Sequence, residues 1–406
     1  LKRKGLRAKT VKNFSARRND DSHALVRRCL QAQGATAMPL LIGPLAHPLM
    51  RARLAPDAVE AQPLQGTLRG GGFAGITLNG WPRLEVGKDS LPLWKSPWTP
   101  ELRRYAQIFG LVPQFHHGLE LFGLGDAADH GPEWQPRLAA AMADRLLALP
   151  PERPAEAIRK RLPMIAAWVA SRLRAADETP PLPHVGPVAA DRVRIDSVDE
   201  PYAEYFSIEA IRLRQHRNDG DWTPPLLRAV FVSGDATVVL PWDPVRDRVM
   251  LIDQLRAGPV ARGDAQPWLY ETVAGRVDAA ETPEQAARRE AVEETGIQMS
   301  RLIPAPHNYP SPGAMAEYLY LYVGIADLPD DIAGLGGLAS EDEDIRSHLI
   351  PRAELTRMAL AGEIRNGPLL NLALWLELRH DEIRRELGLD EPAKAQPGLP
   401  PSRGSV

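Results

Sequence analysis

Glu290, Glu293 and Glu294 are spaced i, i+3, i+4, so a helix through them would carry three carboxylates on one face. In an isolated helix such like-charge pairs cost roughly 0.2–0.5 kcal/mol each. A divalent cation among them turns that cost into a gain. Oxygen ligands of this kind select hard ions, Mg²⁺ or Mn²⁺, and Mg²⁺ commonly keeps waters and takes substrate phosphates as further ligands. Arg289 lies four residues before Glu293 and within reach of Glu281, where it can orient the acids without neutralising all of them. Taken alone, an acidic stripe more often marks a solvated helix face. The segment around it has to decide.

That segment specifies a helix of about three turns at both ends. Thr282 is an N-cap residue with Gln285 three positions later, Pro283 fills the first helical position, and Gly296 follows where a left-handed residue would end the helix. Gly275, Glu281, Arg289, Glu290, Glu293, Glu294 and Gly296 satisfy G-x5-E-x7-R-E-x-x-E-E-x-G at every fixed position. At background frequencies a chance match is on the order of one in 10⁸ per starting position. The pattern resembles the Nudix box, the signature of hydrolases of nucleoside diphosphate-linked compounds. Ala291 stands where that pattern prefers a larger aliphatic residue. The resemblance implies a loop–helix–loop that presents glutamates to Mg²⁺ while water attacks a phosphorus. Phosphoryl transfer of this kind chiefly needs positioning and charge neutralisation.

The resemblance runs over roughly residues 200–388, towards the bacterial ADP-ribose pyrophosphatase branch. It is carried by Leu240-Pro-Trp-Asp-Pro-Val-Arg-Asp247, Asp253-Gln-Leu-Arg256, Trp268-Leu-Tyr-Glu-Thr-Val-Ala-Gly275, Ser311-Pro-Gly313 and Gly337-Leu-Ala-Ser-Glu-Asp-Glu-Asp-Ile-Arg346. Carried over by position, it implies a metal held by Glu290, Glu294, the Ala274 carbonyl and Glu343. Glu341 matches the general base, with Glu293 and Arg289 completing the catalytic set. Arg228 and Arg256 match positions that hold the diphosphate, and planar guanidinium forks suit phosphate oxygens. Tyr205 falls where an aromatic ring stacks on adenine, Glu317 where a carboxylate meets the nucleoside, and Glu271 within the substrate-binding set. The expected reaction is Mg²⁺-dependent cleavage of ADP-ribose to AMP and ribose 5-phosphate. Another nucleoside diphosphate sugar, a dinucleotide, or a non-catalytic ADP-ribose sensor are the alternatives. Family members share contacts between subunits, which implies a homodimer through the Nudix domain.

The whole chain constrains where such a site can sit. At 406 residues it exceeds what one core usually organises. The net charge of −3 argues against a general affinity for nucleic acid or anionic membrane, and no apolar run approaches the roughly 20 residues of a membrane helix. With Cys29 as its one cysteine there is no intramolecular disulfide, so a reducing, cytoplasmic compartment is expected. Residues 1–37 read as a basic extension with only Asp20 and Asp21 as acids, either a targeting segment or a disordered tail ahead of Met38.

Residues 38–175 are expected to form an α+β domain, with a hairpin at Thr77–Trp81 signalled by Asn79-Gly80 and helices over Pro136–Leu149 and Pro154–Ala175. Residues 176–192 form a Pro-rich linker. In 193–390, strands at Arg228–Val232, Ala236–Pro241, Arg248–Gln254 and Glu317–Val323 interleave with helices at Pro283–Thr295, Arg352–Ile364 and Pro368–Leu387. That order predicts an α/β/α Nudix sandwich, followed by a disordered tail at 391–406.

Gly70-x-Gly72-x-x-Gly75 fits a dinucleotide fingerprint only formally, because no strand–helix unit surrounds it. His116-His117 lacks partner ligands at suitable spacing and reads as a surface pair. Ile42-Gly43-Pro44-Leu45 weakly resembles the Tyr-Gly-x-Leu loop of gamma-glutamylcyclotransferase-like domains. Such domains precede the Nudix unit in bacterial proteins labelled tellurite-resistance-associated, to which the whole chain looks similar. The tyrosine is replaced and no suitable acid is evident, so a structural or regulatory remnant is expected.

Overall fold

A computed structural model describes residues 38–127, 132–178, 191–338 and 343–389. The chain divides into two compact units, one up to residue 181 and one from residue 182.

The first unit contains β1 (Leu40–Leu41), α1 (Pro48–Leu54), β2 (Val59–Arg69), β3 (Arg83–Lys95), α2 (Pro100–Phe109), β4 (Gln114–His116), β5 (Leu119–Phe122), α3 (Pro136–Leu147), α4 (Ala155–Lys160) and α5 (Leu162–Asp177). Its five-stranded sheet runs β2-β3-β1-β5-β4, with β1 and β5 the parallel pair. Ile42, Leu93, Leu121 and Leu124 form a buried cluster against it. Two sequence expectations are corrected here. Thr77–Trp81 is a turn and not a hairpin: a Cβ on Gly80 would lie 2.2 Å from the Phe73 carbonyl oxygen, so this glycine serves a close backbone approach. The helix expected over Pro154–Ala175 is two helices that break at Arg161, because Pro163 has no N–H to continue the ladder and instead sits in the opening turn of α5. His116 and His117 enter a β4–β5 hairpin; His117 (φ 49°) and Gly118 (φ 79°) make its two-residue turn, both with the positive φ that such a turn requires to match the twist of its strands.

The second unit opens with an antiparallel three-stranded sheet: β6 (Val193–Ala203), β7 (Ser207–Gln215) and β8 (Leu226–Val232). Then come β9 (Ala236–Asp243), β10 (Arg248–Leu255), α6 (Ala257–Arg262), β11 (Trp268–Glu271), β12 (Val273–Arg276), α7 (Pro283–Thr295), β13 (Arg301–Pro304), β14 (Leu319–Ile325), β15 (Leu335–Gly336), β16 (Ile345–Pro351), α8 (Arg352–Leu360) and α9 (Gly367–Glu386). The large sheet runs β13-β14-β9-β10-β16-β15, with β11 on β10 and β12 on β9. Among the described strands of this sheet, only β14 and β9 pair in parallel.

The period of two along β9 sorts its side chains between two cores. Val238, Leu240 and Trp242 pack with Leu355, Leu369, Leu372 and Leu376 of α8 and α9. Val239 faces the other way and packs with Ala286, Ala287 and Ala291 of α7. Helices therefore cover both faces of the sheet, an α/β/α sandwich. Alanines on the inner face of α7 let the helix lie close to the strands, which explains Ala291.

Candidate metal and diphosphate site

The acidic helix begins and ends on the residues its sequence marks. Thr282 Oγ1 accepts the Gln285 N–H and the Gln285 side chain accepts the Thr282 N–H, which closes the capping box, and Gly296 (φ 70°) ends the helix. With one face of α7 buried by alanines, the carboxylates are directed along the edge of β12. A Cβ on Gly275 would lie 1.9 Å from Glu290 Oε1, so the strand admits this carboxylate only because residue 275 has no side chain. The Ala274 backbone N–H bonds the Glu294 carboxylate. Loop, helix and strand thus converge on one edge.

Arg289 organises the outer acids. Its guanidinium donates to Glu281 Oε1 (2.7 Å), Glu290 Oε1 (2.7 Å), Glu293 Oε2 (2.8 Å) and the Arg276 carbonyl (3.1 Å). Burial opposes its charge, yet the Glu281 and Glu290 contacts prevail and raise its pKa. Glu294 receives no such partner. It is 3% exposed and its Oε2 has no hydrogen bond. Burial, then repulsion from Glu290 and Glu343, pushes its pKa up to about 9. Glu290 is raised to about 7, because burial outweighs the opposing Arg289 contact and Glu293 and Glu343 add repulsion.

Among the described residues, no three His, Cys, Asp or Glu side chains already stand as a ligand cluster; Arg289 holds one oxygen each of Glu290 and Glu293. The donor chemistry nevertheless fits a hard divalent cation. An orphaned buried carboxylate oxygen, with two further carboxylates raising its pKa, is a site short of positive charge. Glu343 is at that edge too, its Oε2 accepting the Leu338 N–H at 3.2 Å. Glu341 lies outside the described residues.

The other candidate residues fall into four groups. Arg256 donates two hydrogen bonds to Glu271, at 2.9 and 2.6 Å, and its charge acts on Glu294. Glu271 is buried, so its carboxylate is spent on Arg256 and it acts by holding that guanidinium. Glu317 accepts the Ser233 hydroxyl at 3.0 Å, and burial raises its pKa against that bond. Tyr205 is exposed; its ring packs edge-on against Phe206, and the Arg276 guanidinium lies 5.0 Å from its centroid. Arg228 is exposed on β8 and donates to its neighbour's carbonyl, Leu227, a contact that does not tie it to the acidic edge.

Two residues escaped the sequence reading. Arg276 joins the acidic edge, through its carbonyl, to Tyr205, through its side chain. Ser233 positions Glu317. A cation directly after the fixed glycine of the box was the available signal for Arg276; Ser233 offered none.

The match to known proteins agrees with this geometry. Residues 233–372 match the NUDIX domain model. The chain is 36% identical to the ADP-ribose pyrophosphatase of Escherichia coli (strain K12) over 194 residues, 48% of this chain and 92% of that protein.

The chain belongs to the Nudix family.

A second Nudix relative is the ADP-ribose pyrophosphatase of Haemophilus influenzae, 32% identical over 186 residues, 45% of this chain and 85% of that one. A third, the GDP-mannose pyrophosphatase of Shigella flexneri, is 32% identical over 176 residues, 43% of this chain and 90% of that one. The Nudix match falls wholly within the second unit. Among the described residues, no helix is long and apolar enough to cross a membrane.

Proposed function

We propose that this chain is a Mg²⁺-dependent hydrolase of the diphosphate of ADP-ribose, releasing AMP and ribose 5-phosphate. The observation that carries the reading is the buried Glu294 carboxylate, whose Oε2 has no hydrogen bond, beside Glu290 on the edge of β12, in a chain whose relatives at 36% and 32% identity are ADP-ribose pyrophosphatases. Glu290, Glu294, Glu343 and the Ala274 carbonyl would hold the cation. When bound, it neutralises the diphosphate and lowers the pKa of coordinated water. Arg289 keeps Glu290 and Glu293 oriented towards the cation without moving a proton itself. Glu341 takes the proton of the attacking water. Arg256, fixed by Glu271, binds the diphosphate oxygens, as does Arg228; Tyr205 stacks on the base and Glu317 meets the nucleoside.

Two copies acting together fit the three-stranded sheet, where Val193, Ile195, Val198, Tyr202 and Leu227 are exposed. By register, Val193, Ile195, Val198 and Arg228 share one face of this sheet, and Tyr202 and Leu227 lie on the other; a homodimer through the first face would bring Arg228 of one copy to the site of the other. A cytoplasmic location suits the single cysteine and a nucleotide substrate. We assign the first unit to the gamma-glutamylcyclotransferase-like remnant of the tellurite-resistance-associated type, without a second hydrolytic site.

The 32% identity to a GDP-mannose pyrophosphatase supports a second reading, in which another nucleoside diphosphate sugar is preferred. Side-by-side turnover of ADP-ribose, GDP-mannose and a dinucleotide decides between them. A kcat/KM highest for ADP-ribose is expected; a higher value for either competitor would replace the leading substrate.

A further inference from the structure

The first unit carries a cleft of 360 Å³ between the turn at Gly43–Ala46, the ends of β2 and β3, and Trp134. That volume falls within the roughly 300–1,000 Å³ usual for small-molecule sites. Its walls are hydrocarbon, chiefly Pro44, Leu68, Pro82, Pro92 and the Trp134 indole, and among the described residues no carboxylate, ammonium or guanidinium group lines it. An ionised ligand would therefore lose water without gaining a counter-charge.

Among the described lining residues, two side chains can hydrogen-bond. Trp134 donates its indole N–H to the Ala74 carbonyl at 3.0 Å, which fixes the ring and uses its one donor. His47 is committed on one side only. Its Nδ1 accepts the Leu49 N–H at 3.2 Å as the cap of α1, so the neutral ring carries its proton on Nε2. Burial, then the nearby Arg51 charge, lowers its pKa and keeps the ring neutral. Arg51 itself donates to the Ala46 carbonyl and stacks over Trp94, away from a ligand-binding role. The His47 ring stands edge-on to Trp134, with centroids 5.1 Å apart and planes at 81°. An aromatic corner with one donor is the result.

We infer that this cleft binds a neutral aromatic small molecule bearing one hydrogen-bond acceptor, its ring against Trp134 and its acceptor on His47 Nε2–H. The site does not depend on the hydrolase reading of the second unit. It gives the first unit a ligand-sensing role instead of a catalytic one, since among the described residues no Ser, Thr, Cys, Lys, Asp or Glu lines the cleft beside His47.

The test uses the full chain and two probes of nearly equal shape, acetophenone and ethylbenzene, titrated by ligand-observed saturation-transfer NMR. Acetophenone should saturate at one site and bind about 3–10-fold tighter than ethylbenzene, the span of one neutral hydrogen bond. His47→Phe should erase that preference. Pro92→Trp, at an exposed strand position, should fill the cleft and remove saturable binding of both probes; Leu68→Trp fills it from the neighbouring strand should the first variant misfold. Non-saturating signals for both probes, equal affinities in the unsubstituted chain, or binding that survives in a folded cleft-filling variant would each overturn the inference.

Discussion

Gly275 lies directly against Glu290: a side-chain carbon on the glycine would fall 1.9 Å from Oε1 and 2.0 Å from the carboxyl carbon. Gly275→Ala should therefore push Glu290 out of the edge it shares with Glu294. Overpacking of this kind costs typically 1–3 kcal/mol, and a misplacement near 1 Å can cost roughly 100-fold in rate. We expect kcat to fall by that order while the melting temperature drops only by a few degrees. Wild-type kcat in a folded Gly275→Ala protein would show that Glu290 has no fixed position in the reaction.

Glu294→Gln keeps the shape of the side chain and removes its charge. Because Glu294 is buried without a partner on Oε2, the folded protein should tolerate the change and keep its melting temperature. Turnover should fall by at least about 1,000-fold, since charge neutralisation at a metal supplies several kcal/mol of transition-state stabilisation. Steady-state assays with a thermal scan measure both. Retained turnover would remove Glu294 from the ligand set.

The raised carboxylate pKa values give a signed pH dependence. Glu290 titrates near 7 and Glu294 near 9 in the fold, above the ordinary 4.5, so both favour the folded state fully below 4.5. That contribution is lost as pH rises through 7 and then 9. The metal-free protein should lose melting temperature between pH 5 and pH 9, and Mg²⁺ should restore more of it at the upper end, where fewer protons must leave. Glu294→Gln should flatten the fall. A profile that rises with pH in the metal-free protein would contradict the assignment.

Arg256 and Glu271 make a bidentate pair in which the acid is 5% exposed and the arginine 41% at the side chain. Arg256→Ala leaves a buried carboxylate alone, at a cost of about 1–2 kcal/mol once solvent screening of the exposed arginine is allowed for. It should also raise KM about tenfold or more through lost diphosphate contacts. Adding Glu271→Gln should restore the melting temperature but not KM. Recovery of both would make the pair purely structural.

Arg276 fixes Tyr205, whose exposed ring otherwise meets Phe206. A cation–π contact at an exposed site is worth roughly 0.5–1 kcal/mol, so Arg276→Ala should raise KM about 2–5-fold with kcat nearly unchanged. Arg276→Lys should recover part of it. An unchanged KM, or a fall confined to kcat, would exclude this positioning role.

The parts of the site legible in the sequence are those encoded within one helix. Thr282, Gln285, Pro283 and Gly296 act on their own neighbours, so α7 begins and ends where they place it. The continuous apolar run Val238–Trp242 likewise makes a central, doubly covered strand readable. What stays hidden depends on partners far along the chain. Arg256 meets Glu271 only once β10 and β11 pair, and its side chain reaches back along the ladder, since the register sets Leu255 opposite Trp268 and Ile252 opposite Glu271; no local pattern encodes that. The long β2–β3 hairpin is obscured by Pro63, Gly66 and Gly87 and by two register shifts, which break the period of two. Asn79-Gly80 misleads for the opposite reason, a strong local turn signal used for backbone packing against Phe73.

Release of AMP from ADP-ribose, followed with Mg²⁺, with excess chelator and with Mg²⁺ restored, tests the central claim most directly. AMP and ribose 5-phosphate should form in equal amounts with the metal, stop on chelation and resume on its return. Equal release with and without the metal, or no AMP under any condition, would contradict a role for the α7 carboxylates in metal-dependent diphosphate hydrolysis.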